Sequence, residues 1–276
     1  RTKRAVGSAS PMRRAASKKS GSSFLISRSR DPGSSATMGS SGPTPSRARN
    51  PWSGCSDAIA SLEKLPPAQY ATGHVLCLVG RAHAEMVDYP SARHAFEWAR
   101  AVDPRRLEGM EVYSTVLWHL KREVELSHLS QVVVGLDRLS PHTWCVLGNC
   151  FSLQKEHETA LRYFQRALQL DPGCTYAHTL CGHEYFANED FEKATACYRA
   201  ALRLDSRHYN AWYGLGTVYY RQEKYELSEY HFRHALSINS RSSVLFCYLG
   251  MAQHALRRNG DALELLQRAI ALDGRT

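Results

Sequence analysis

The sequence predicts an all-α fold, an α-solenoid in which antiparallel helix pairs stack into a right-handed superhelix. Three observations carry that reading. The stretches Trp144-Cys-Val-Leu147-Gly148-Asn-Cys-Phe151 and Trp212-Tyr-Gly-Leu215-Gly216-Thr-Val-Tyr219 share the form W-x-x-L-G-x-x-(F/Y) and lie 68 residues apart. Halving that interval finds Cys181, Gly182 and Tyr185 in phase, and one step later Leu249 and Gly250. The second half of each frame repeats as well: Ala160, Phe164 and Ala167, then Ala194, Tyr198 and Ala201, then Ser228, Phe232 and Ala235, then Ala262, Leu266 and Ala269. In-phase self-similarity at a fixed period is the signature of stacked repeats.

The period is 34 residues, with frames starting at 73, 107, 141, 175, 209 and 243. This is the tetratricopeptide pattern. Residues 73–276 are therefore expected to hold six repeats, of which 107–140 is degenerate: Leu126, Ser130 and Val133 replace its small-aromatic-small series. That pair is expected to keep register and pack irregularly. Residues 51–72 are expected to form a leading helix near 55–65 and a linker from a partial repeat, ended by Pro66-Pro67. Asp103-Pro104 and Asp171-Pro172 stop the preceding helices, because the residue before a proline is pushed out of the helical region. With no polar capping helix after the last frame, we read the chain as one segment of a longer protein.

Within HYNAWYGLGTVYYRQEKY (208–225), Trp212, Leu215 and Tyr219 recur at i, i+3 and i+7 and fill the space between neighbouring repeats. Gly148, Gly182, Gly216 and Gly250 mark the crossing of the first helix on the second. Close backbone approach there, opposite alanines such as Ala160 and Ala167, offsets the roughly 1 kcal/mol that glycine costs in a helix. Gly214 falls outside this pattern.

Residues 1–50 form a basic, Ser-rich tail with eleven Lys/Arg and one acid, Asp31, expected to be disordered for want of apolar surface to bury. The remaining residues carry 24 Lys/Arg and 25 Asp/Glu, a net charge of −1, which argues against nucleic-acid binding by the folded part. Ser10 and Thr44 each begin an S/T-P-x-R motif and are candidate phosphorylation sites; Arg13-Arg14 with Lys18-Lys19 fits a nuclear import patch. The eight cysteines show no metal or redox spacing and read as reduced core residues of an intracellular protein. No 18-residue apolar run calls for a membrane. The thirteen histidines form no zincin pairing, and no phosphate-binding or nucleophile motif occurs. The expectation is no enzyme, no cofactor and no metal.

A solenoid binds along its concave side, lined by the first helix of each pair. Positions 2, 5, 9 and 12 of frames 141 to 243 give His142, Cys145, Asn149 and Ser152; Tyr176, Thr179, His183 and Phe186; Asn210, Tyr213, Thr217 and Tyr220; and Val244, Cys247, Met251 and His254. Amides, hydroxyls and imidazoles on apolar bodies suit an extended peptide gripped by its backbone.

STVLWHLK (114–121), SPHTWCVLGNCFSLQKEHETAL (140–161), YAHTLCGHEY (176–185) and RHYNAWYGLGTVYYRQEKYELSEYHF (207–232) closely resemble the tetratricopeptide subunit 3 family of the anaphase-promoting complex, or cyclosome. The likeness covers roughly residues 55–276 and corresponds to a fragment of the C-terminal half. It implies a non-catalytic scaffold of a nuclear cell-cycle ubiquitin ligase, cytoplasmic too in mitosis, whose groove captures C-terminal Ile-Arg tails of activator and core subunits. It also implies contacts with other tetratricopeptide subunits and a homodimer in the full-length family, through N-terminal repeats this chain lacks. On this resemblance Asn149, His183, Asn210, Tyr213 and Thr217, with nearby Glu184, are the candidate peptide-binding residues. The alternative is a chaperone-cofactor-type peptide-binding module, which requires several inward Lys or Arg; positions 2, 5, 9 and 12 of frames 141–243 offer none.

Overall fold

The structure, a computed structural model, describes residues 53–273. The basic tail, with Ser10 and Thr44, lies outside the described residues. A short helix α1 (Ser53–Leu62) and a single turn α2 (Pro67–Tyr70) lead into six helix pairs. These are α3 (Gly73–Glu85) with α4 (Tyr89–Val102), α5 (Met110–His119) with α6 (Glu123–Leu136), and α7 (Pro141–Leu153) with α8 (His157–Leu170). They continue as α9 (Thr175–Ala187) with α10 (Phe191–Leu204), α11 (Tyr209–Arg221) with α12 (Tyr225–Ile238), and α13 (Ser243–Ala255) with α14 (Asn259–Asp273). The described residues contain no strand.

The backbone repeats as regularly as the side chains. Val87, Lys121, Lys155, Glu189, Glu223 and Arg257 all have positive φ, between 55° and 66°, and stand 34 residues apart. Each ends the first helix of its pair in a left-handed turn. The next N–H closes a six-residue loop onto the helix, as in Asp88 to His83 (3.0 Å) and Lys224 to Tyr219 (2.9 Å). This satisfies carbonyls that the helix end leaves open and reverses the chain in three residues.

The crossing glycines serve aromatic rings rather than alanines. A Cβ at Gly148 would sit 2.2 Å from Phe164, at Gly182 2.5 Å from Tyr198, and at Gly216 2.5 Å from Phe232. So it is the ring at the centre of the second helix that presses onto the first. Gly214 has the same cause across a repeat boundary, since its Cβ would lie 2.3 Å from Tyr198. The fully buried Tyr198 ring is thus held between Gly182 of its own pair and Gly214 of the next. Trp212 stacks on His234 of α12 at 4.6 Å, and its indole N–H donates back to the Ser206 carbonyl of the preceding frame at 2.9 Å.

The 107–140 pair departs from the others at its start. Gly109 takes φ 89°, open to glycine and strained for other residues, and α5 begins only at Met110. Helix α6 is back in register with the second helices of the other pairs. The shortened α5 packs more against α7 than against its partner α6.

Candidate functional site: a half-open cavity inside the solenoid

The superhelix closes on itself. The fully buried Asn239, between α12 and α13, donates from Nδ2 to the Glu85 carbonyl at the end of α3, at 3.2 Å across 154 residues of sequence. Its own Oδ1 accepts from the Arg241 N–H at 3.3 Å, so the amide is locked from both sides. Inside the turn lies a cavity of about 340 Å3, walled by α3, α5, α9, α11 and the start of α13.

Two carboxylates and one guanidinium set its charge. Arg81 on α3 pairs with Glu111 on α5 at 3.2 Å, and His142 on α7 pairs with the other Glu111 oxygen at 3.1 Å. Burial pushes the Glu111 carboxyl up, but the His142 contact and the charges of His142 and Arg81 outweigh it, leaving Glu111 below the ordinary carboxylate range. The same contact raises His142. Glu85 moves the other way: burial raises it, Arg81 only partly offsets that, and Asp205 adds to the rise.

The imidazoles on the wall are neutral. Burial pushes His119 down to about 4, and Lys121 adds to the drop; the ring stacks on Tyr89 at 4.4 Å. Burial also lowers His208, whose buried Nε2 has no hydrogen-bond partner among the described residues. The Tyr176 hydroxyl joins Thr115 Oγ1 and donates to the Glu111 carbonyl at 3.1 Å. Val112, Val116, Val244 and Leu245 supply an apolar strip. The cavity therefore offers acids for a cation, an orphaned imidazole nitrogen, amide and hydroxyl groups for a peptide backbone, and an aliphatic slot.

Of the six candidate peptide-binding residues, the structure brings Asn210 and Tyr213 to this wall, beside Tyr176 and Val244 from the same inward positions. Tyr213 is half-buried and meets Tyr248 edge-on at 5.4 Å. The other four are spent on helix packing, a correction to the expected inward-facing set. Asn149 is 3% exposed and donates from Nδ2 to Ser114 Oγ (2.8 Å) and Thr115 Oγ1 (3.1 Å), so it braces Thr115 from behind. Buried Glu184 accepts from Ser152 Oγ and meets His157 Nδ1, both at 2.6 Å, tying adjacent repeats together. Half-buried His183 accepts from the Tyr198 hydroxyl at 2.8 Å, and burial holds its pKa down at about 4. Buried Thr217 donates to the Gly214 carbonyl at 2.8 Å. Cys145 and Thr179, also expected to face inward, are buried. The cause is tight winding, which packs first helices onto one another, α5 on α7 and α9 on α11, and covers the middle of their inner faces.

Arg81, Glu111 and Thr115 also line the cavity, from frames that precede the inward positions of residues 141–276. Carried back to frames 73 and 107, the same positions 5 and 9 select all three.

Among the described residues no group of three or more His, Cys, Asp or Glu side chains is placed to hold a metal ion. No described helix is long and apolar enough to cross a membrane.

Comparison with known proteins bears on the same region. Tetratricopeptide-repeat family models match residues 141–174 and 182–243. The chain is 55% identical over 219 residues to cell division cycle protein 27 homolog B of Arabidopsis thaliana, covering 79% of this chain and 29% of that protein. It is 53% identical over 122 residues to anaphase-promoting complex subunit 3 of Dictyostelium discoideum, covering 44% and 13%. It is also 52% identical over 118 residues to the human cell division cycle protein 27 homolog, covering 43% and 14%. The chain thus spans about three-tenths of the length of the Arabidopsis relative. A chain in the crystal structure of the APC/C hetero-tetramer Cut9-Hcn1 superimposes with a TM-score of 0.66 at 15% identity, over 80% of this chain and 50% of that one, which is a likeness of fold. By repeat architecture and by identity to these relatives, the chain belongs to the tetratricopeptide-repeat family of cell division cycle protein 27 and anaphase-promoting complex subunit 3.

Proposed function

We propose that this chain is a scaffold segment of an anaphase-promoting-complex ubiquitin ligase. It performs no reaction itself and receives C-terminal Ile-Arg tails of activator and core subunits in this half-open cavity. The observation that carries the reading is one cavity lined by Glu85, Glu111 and an aliphatic strip. In this reading the acids take the guanidinium. Val112, Val116 and Leu245 take the isoleucine, and Asn210 with Arg81 takes backbone and carboxylate. Asn149 acts through Thr115 rather than by touching the tail, and Glu184 keeps adjacent repeats in register behind it, while His183 and Thr217 bond within their own pair and helix. The name of the Dictyostelium relative supports the choice of complex; contact with other tetratricopeptide subunits, a nuclear location and phosphorylation at Ser10 and Thr44 belong to the same proposal. A chaperone-cofactor clamp for acidic C-termini needs several inward cations, and among the described residues Arg81 is the sole Lys or Arg on the cavity wall.

The experiment is a fluorescence titration with three labelled peptides, ending in Ile-Arg, in Ile-Ala and in amidated Ile-Arg. The reading requires the first to bind at least tenfold more tightly than the other two, the size of one lost charged contact. Equal affinity for all three would remove terminal recognition from the account.

A further inference from the structure

We propose that the face shared by α10, α11 and α12 docks a carboxylate-rich segment of a partner protein, held by a row of unpaired arginines and anchored on an aromatic platform beside them. The surface is independent of the cavity, since none of its residues lines that space.

The platform is one chain of ring contacts. Arg199 on α10 donates from Nη2 to the Tyr219 hydroxyl at 3.0 Å. Tyr219 stacks on His231 at 5.1 Å, and His231 meets Trp212 at 5.4 Å. Trp212 in turn stacks on His234, which Tyr230 meets at 4.7 Å. The outer edge is open and apolar: Tyr230 is 53% exposed and Leu227, one turn away on the same face of α12, is 47% exposed. Burial holds His231 down at about 4, with the charges of His234 and Arg199 adding to the drop, so that ring is neutral.

The positive charge comes from the row along α10. Arg203 follows Arg199 at i+4 on the same helix face, about 6 Å further along the axis. Arg207 lies beyond the helix end, next to Ser206, whose carbonyl accepts the Trp212 indole N–H. All three arginines are exposed. The ion pairs of this region belong instead to Lys193, Arg221, Arg233 and Arg258 among the described residues. Asp205 turns elsewhere: it accepts the Arg207 backbone N–H at 2.8 Å, and its charge acts on Glu85 and His208. Glu229 is held by Arg233 and Arg258, and Glu226, one turn before Tyr230, bounds the patch on the α12 side. The fold does not require the row, since 34 residues earlier the same positions hold Gln165, Gln169 and Gly173.

Cations spaced along a helix suit carboxylates strung along a chain better than one compact phosphate, and an exposed Tyr beside a Trp is the usual anchor of a protein interface. Residues 51–276 carry 24 Lys/Arg against 25 Asp/Glu, which leaves no broad positive field for a nucleic-acid backbone.

The test uses the whole chain and reads the patch itself, because the basic residues of 1–50 also attract acidic peptides. The reporter is the Trp212 indole N–H resonance, assigned by triple-resonance spectra. The probe is a glutamate-rich peptide carrying two phenylalanines. It is expected to shift the Trp212 signal saturably, with an affinity that falls as salt is raised. The counterpart with lysine in place of glutamate should leave the signal unmoved. Arg203→Glu with Arg207→Glu, at exposed positions outside the packed core, should weaken the binding read at Trp212 at least tenfold, as like charges replace opposite ones. A Trp212 signal that the acidic peptide does not move would overturn the proposal, and that measurement needs no variant to fold. Equal affinity in the doubly substituted protein would also overturn it, as would tighter binding at Trp212 of an oligothymidylate of equal charge, which would make the patch a nucleic-acid site.

Discussion

Gly214 shows how little room a single position leaves. Its missing Cβ is filled by the Tyr198 ring, so Gly214→Ala forces ring or helix to move, and overpacking of this kind costs about 1–3 kcal/mol. Gly135 is the control. A Cβ there meets nothing within 4 Å, and Gly135→Ala should stabilise by about 0.5 kcal/mol through helix propensity alone. Urea denaturation of the two variants is expected to show shifts of opposite sign. The Glu111–His142 pair gives a second residue-scale expectation. His142 has a raised folded pKa, so its contribution is complete below the unfolded value of about 6.5 and is lost as pH rises through the folded value. Glu111 has a lowered one, so its contribution is complete above about 4.3 and is lost as pH falls through the folded value. The stability gap between the unsubstituted protein and His142→Gln should therefore be widest between about pH 4.3 and 6.5, and should narrow on either side. A gap that does not change across this range would mean that the pair contributes nothing.

At the scale of elements, the six left-handed turns hold the register. None of the six is glycine, and one is Val87, a β-branched residue for which this conformation is strained by roughly 1–2 kcal/mol. Val87→Gly relieves that strain against glycine's greater entropy loss, and a rise in thermal midpoint is expected, larger than for Glu223→Gly. A lower midpoint for Val87→Gly would contradict the strain. The turns were not legible in the sequence, because Lys, Glu, Arg and Val carry no left-handed signature. The helix pairs were legible, because the aromatic and small side chains that set the period are the ones that pack. Gly214 was opaque for a different reason: the ring that excludes its Cβ belongs to the preceding repeat, at a distance that in-frame alignment does not inspect.

At the scale of the whole molecule, the Asn239–Glu85 contact decides what the solenoid can hold, since it joins the ends of one superhelical turn and converts an open groove into a cavity. Frame arithmetic predicts which helix faces inward but not how tightly the superhelix winds. Asn210 and Tyr213 therefore line the cavity, whereas Asn149 and Thr217 lie on a face that the winding buries. Asn239→Ala leaves the Glu85 carbonyl without this donor, with an expected loss of about 1–3 kcal/mol. Amide exchange should rise at the end of α3 and the start of α13 in that variant, and unchanged exchange there would mean the closure is not held by this bond. The most direct measurement of the central claim is the affinity of an Ile-Arg-ending peptide for Val244→Arg, which places a long cation at the partly exposed mouth of the cavity without touching the core. With helicity and thermal midpoint retained, binding should fall at least tenfold, as expected for a blocked site with an added like charge. Affinity equal to that of the unsubstituted protein would show that tails dock elsewhere.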